Sequence, residues 1–164
     1  MAHNNKIINE DQLFKIKDFE KLEWHDCKIY AFAFDDITFK FYLDIDFITK
    51  WIDPINDDKG YSFEVSPATI VFHNTWDVIL DIDTNLSLEI NNISASNPHK
   101  AKNEQVVHSK EYDWHIELQQ GDIFFKSIGF TLFLRKPPTL SDSQTLGLEA
   151  RGGISFSIKN YFDL

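Results

Sequence analysis

A chain of 164 residues with a formal net charge of −10 suits one domain, residues 1–164. Its surplus of carboxylates excludes nucleic acid as a partner, because phosphate binding needs clustered Lys and Arg. One cysteine allows no internal disulfide, and no run approaches about 18 apolar residues, so a reducing cytoplasm and no membrane span are expected.

The start, "MAHNNKIINEDQ", lacks a basic n-region and an apolar h-region, so no signal peptide is expected. Residues 9–20 predict a short helix: Asn9 caps, Glu10 and Asp11 suit its positive end, and Gln12 sits where a capping box wants Glu or Gln. From Lys28 onward the period changes to two. In "TFKFYLDIDF" the residues Phe39, Phe41, Leu43, Ile45 and Phe47 point one way, toward a core. Lys40, Tyr42, Asp44 and Asp46 point the other way, and the two aspartates are expected to stay wet. On that reading Asp44→Asn changes stability by less than about 0.5 kcal/mol.

Further strands are predicted at 61–65, 68–73, 77–83, 86–90, 111–118, 122–128, 129–135 and 154–159, separated by turns rich in Gly, Pro, Asn and Asp. Fifteen Phe, five Tyr and four Trp beside one Met agree with pleated, half-buried surfaces. The polar stretch 94–105 reads as a long surface loop, and 137–153 as a loop with or without a short helix. The expected fold is mainly β: a single antiparallel β-sandwich or barrel-like domain with one or two short helices.

Chemistry-bearing residues fall along the same strands. In an extended 24–34 segment, His25 and Cys27 share a face and Asp26 takes the opposite one, which argues against a relay between neighbours. Cys27 precedes an apolar run and reads as a small buried hydrophobe, inert rather than nucleophilic. Asp44 with Asp46, and Asp81 with Asp83, are carboxylate pairs on single strand faces. Side by side, those strands would crowd four carboxylates and call for a cation; apart, the faces are simply solvated. The stretch 53–64 fails as a calcium loop because Ile55 holds a ligand position and Asp58 the turn glycine's place. Asp113, His115 and Glu117 share a face, yet the outer two lie roughly 13 Å apart on a strand, too far for one ion. Phosphate loops and a Gly-x-Ser-x-Gly elbow are absent from the sequence.

Trp24-His25-Asp26 before the first strand, the Leu-Asp-Ile-Asp of 43–46 and the "RGGISF" of 151–156 together resemble small bacterial β-rich proteins, loosely similar to immunity-type proteins. The resemblance implies a bacterial protein that binds and silences a toxin, and carries no functional residue across. The reading is a non-enzymatic acidic binding module, with no catalytic residue, metal or cofactor, facing a basic protein partner. Asp44, Asp46, Asp81 and Asp83 would steer the encounter, and Trp51 and Trp76 would anchor it. The alternatives are a metal-assisted hydrolase using His and Asp residues, and a small-ligand binder with an aromatic-lined cavity.

Overall fold

The computed structural model describes residues 22–57, 59–103 and 109–163. The helix expected over 9–20 lies outside them. Nine strands follow one another: β1 (Lys28–Asp35), β2 (Lys40–Ile52), β3 (Ser62–His73), β4 (Trp76–Ile82), β5 (Leu88–Lys100), β6 (Lys110–Leu118), β7 (Gly121–Ser127), β8 (Gly129–Leu134) and β9 (Thr139–Ser141). A single turn of helix, α1 (Leu148–Arg151), completes the set. The strands form one antiparallel sheet in the order β4-β7-β6-β5-β1-β2-β3-β8, with β9 beside β3. The chain is mainly β, as its period-two patterning predicts. Among the described residues no helix is long and apolar enough to cross a membrane.

The alternation in β2 explains the core. Phe41, Leu43, Ile45 and Phe47 are all buried, as expected. Phe39 departs from the row: its φ of 55° turns it out of the strand, and its ring stacks on Trp76 at 4.5 Å. Rings from the two halves of the sheet meet inside it. Phe41 of β2 lies 5.4 Å from Phe125 of β7, and Phe72 of β3 lies 4.6 Å from Phe125 and 5.2 Å from Trp114 of β6. Only Ile128 separates β7 from β8, so the chain passes from one half directly into the other.

Three expectations are corrected. Strand β5 runs through Lys100, across most of the segment expected to be a loop. It accommodates Pro98 by a register shift between Ser96 and His99, with Asn97 at a φ of 50°. The alternating "ISFSIK" forms no strand; its Ser155 amide donates to the Asp44 carboxylate instead of a ladder. The third correction concerns the aspartates of β2. Asp44 and Asp46 are not wet but 0% exposed, because the chain after β9 folds back over the second face of β1, β2 and β3.

Candidate functional site

That covered face is a charge clasp. Arg151, in the last turn of α1, sends Nε to Asp46 Oδ1 at 2.9 Å, Nη1 to Asp44 Oδ2 at 2.9 Å and Nη2 to Asp44 Oδ1 at 2.5 Å. Arg135 Nη2 donates to Asp44 Oδ1 at 2.7 Å and its Nη1 to Thr69 Oγ1 at 2.8 Å. Tyr30 donates its hydroxyl to Asp46 Oδ2, and the Arg151 guanidinium carbon sits 4.0 Å from the centre of its ring. The Leu146 and Ser155 amides fill remaining acceptor positions on Asp46 and Asp44. Burial works to lower the Arg151 pKa, but its bonds to Asp44 and Asp46 outweigh that and raise it. Two carboxylates facing two guanidinium groups cancel, and each of the four carboxylate oxygens accepts at least one hydrogen bond. This is the geometry of a structural clasp, and it removes Asp44 and Asp46 from any surface that meets a partner.

Beside the clasp lies a broad-mouthed cleft of about 620 Å³ whose walls include Trp24, His25, Asp26, Trp51, Asn92 and Gln144. The extended reading of 24–34 is corrected here. Asp26 has a φ of 64° and the strand starts only at Lys28, so the turn brings His25 Nε2 within 3.4 Å of Asp26 Oδ2 rather than to the opposite side. Gln144 Nε2 holds the same oxygen at 2.6 Å. A His–Asp pair alone lacks a nucleophile, and the nearby thiol does not supply one. Cys27 is 0% exposed, and burial pushes its thiol up to about 12. A thiol reagent at neutral pH should therefore label the native protein far more slowly than the urea-unfolded chain; equal rates would place the thiol at the surface.

The exposed carboxylates gather elsewhere. Strand β4 pairs with β7 and not with β2, so the two Leu-Asp-Ile-Asp strands are not neighbours and their four aspartates never meet. Instead the register sets Glu117 of β6 opposite Asp122 of β7, and Asp122 opposite Asp81 of β4. Directly paired residues share a face, so three carboxylates form a row roughly 10 Å long across three strands. Like charges in such positions repel. The relief visible is His115, whose Nε2 lies 2.7 Å from Asp122 Oδ1 while its ring stacks on Phe124 at 4.5 Å. Phe124 and its partner Ile79 stand next to the row, 42% and 59% exposed. Asn92, opposite Glu117, continues the row into the wall of the cleft.

Of the residues expected to bind a partner, Asp81 is exposed and belongs to this row, and Asp83, also exposed, follows it two residues along the chain. Trp51 is half-buried against Tyr61 and Phe63, and forms part of the cleft. Trp76 is half-buried, stacked on Phe39, with Lys102 Nζ 5.6 Å from its ring. The sequence singled out His115 and Glu117 as a polar outer face but missed Asp122 and Phe124. Alternation placed each on its face; only knowledge that β7 lies between β6 and β4 joins them. Among the described residues, no three His, Cys, Asp or Glu side chains converge as a metal site.

Compared with protein-family models, with curated proteins and with solved structures, the chain finds no match in any of the three.

Proposed function

We propose that this protein is a non-enzymatic binding module, an immunity-type inhibitor of the bacterial cytosol whose partner is a basic protein. We also take its sheet to be barrel-like, with its two halves joined through the β7–β8 passage and the β4 edge left open. The observation that carries the functional reading is the row Glu117–Asp122–Asp81. An isolated sheet gains nothing from carboxylates set directly opposite one another. A partner's Lys or Arg side chains laid over the row would convert that repulsion into attraction. The exposed Phe124 and Ile79 beside it supply the apolar contact that a charged rim by itself does not.

The test is kinetic, on a basic protein captured from the source organism. Association should be fast at low salt and slow markedly as ionic strength passes about 0.15 M, where the Debye length nears 8 Å. Combined Glu117→Gln, Asp122→Asn and Asp81→Asn should lower the on-rate more than they raise the off-rate. An on-rate indifferent both to salt and to these three changes refutes the reading.

A further inference from the structure

The acidic row ends at the rim of the sheet. Among the described residues β4 hydrogen-bonds to β7 alone, which leaves its other side open. Its polarity follows from two facts. The Asp83 amide donates to Gln120 O at 3.0 Å, and a Cβ built on Gly121 would sit 2.0 Å from Asp81 O. Asp83 and Asp81 therefore aim their backbone groups at β7. By the strict alternation of an antiparallel ladder, Leu80 and Ile82 aim their N–H and C=O groups outward.

Edges of this kind are normally blunted by Lys, Pro or a bulge. Strand β4, "WDVILDI", has neither Lys nor Pro. Its bulge, with Asp77 at a φ of 51°, is confined to the start, between Trp76 and Ile79, leaving 79–82 regular. Side chains alternate along this regular part. Ile79 and Asp81 stand on the outer face with the acidic row, while Val78 and Ile82 pack against the core and Leu80 between them is 40% exposed. The charge decides what can sit here. A second copy would bring Asp81 and Asp83 against their own kind in a chain of net charge −10.

We propose that the open edge of β4 takes up an extended segment of a basic partner as an added strand. Leu80 and Ile82 hydrogen-bond to it. Its basic side chains lie over Asp81 and Asp122, and its alternate apolar side chains cover Leu80. This rests on the acidic-face reading above and names the partner's binding element: a stretch alternating Lys or Arg with apolar residues.

The probe is an eight-residue peptide of alternating lysine and valine, added to the full chain. Hydrogen exchange followed by NMR should show the Leu80 and Ile82 amides at least tenfold better protected when the peptide saturates. Asp81→Lys with Asp122→Lys should weaken binding at least tenfold, and a glutamate–valine peptide should not bind. Several results overturn the proposal: no binding of the lysine peptide, equal binding of the glutamate peptide, or a protein dimer protecting the same two amides without peptide. Binding that perturbs Phe124 and His115 but leaves the Leu80 and Ile82 amides unprotected also overturns strand addition, yet leaves the acidic face standing. Failure of that wider reading shows separately, in a captured partner whose on-rate ignores Glu117, Asp122 and Asp81.

Discussion

Arg151→Met should cost about 3–5 kcal/mol of folding stability, the range found when one member of a buried ion pair is removed and the other charge is stranded. Methionine nearly fills the space of the arginine stem, so the loss reports charge and hydrogen bonding more than volume. Asp44 and Asp46 would keep their burial and lose the donors Nε, Nη1 and Nη2. Asp44→Asn should also be costly, by about 3 kcal/mol, because an amide NH2 would then face two guanidinium groups. That reverses the expectation of less than about 0.5 kcal/mol drawn from a wet Asp44. Adding Asp44→Asn and Asp46→Asn to Arg151→Met should recover part of the loss, since no uncompensated carboxylate then remains under the chain that covers this face. Urea unfolding with the four combinations gives the coupling directly. A cost below about 1 kcal/mol for Arg151→Met would mean that water reaches the clasp, and that residues 142–163 do not hold the face they cover.

The clasp also shows where reading the sequence stops. Alternation in β2 correctly separates Phe41, Leu43, Ile45 and Phe47 from Tyr42, Asp44 and Asp46. It assigns faces, and it is silent on whether a second layer covers the polar one. The cover comes from Arg151, 107 residues further along, so no local pattern announces it. A strand buried on both faces usually betrays itself by an unbroken apolar run. Here ion pairs stand where the second apolar face would be, and they imitate a solvated one. Of the stretches 24–26, 43–46 and 151–156, the last two meet in the clasp, where Asp44 and Asp46 hold Arg151, and the first reaches Gln144 through Asp26. Their chemistry accounts for holding the C-terminal chain down. The acidic row was hidden for a different reason. His115 and Glu117 were legible as one face, and Asp81 and Asp83 as another. Their adjacency is a property of strand order, which short strands with similar turns do not encode. In strand β5 Pro98 signals a loop, whereas a bulge lets the strand continue past it.

Phe41→Ala should cost roughly 3–5 kcal/mol, the usual penalty for emptying a buried ring position. Phe41 is 0% exposed and touches the aromatic cluster from both halves of the sheet: Phe72 at 6.2 Å, Phe125 at 5.4 Å and Phe32 at 6.3 Å. A cavity there would take contacts from β1, β2, β3 and β7 at once, and neighbouring rings held in edge and stacked pairs cannot easily collapse into it. Phe34 provides the comparison within the same stack. Its ring lies 5.1 Å from Phe41 and nearly parallel, but it is 56% exposed. Phe34→Ala should cost about 1 kcal/mol, a stacked-pair contribution with little burial behind it. Denaturant unfolding of the two variants reads both numbers. If Phe34→Ala proved the costlier, the register of β2 would be in error by one residue. A slip of one turns every side chain of β2 to the opposite face, drawing Tyr42, Asp44 and Asp46 into the aromatic core and leaving Arg151 without its carboxylates.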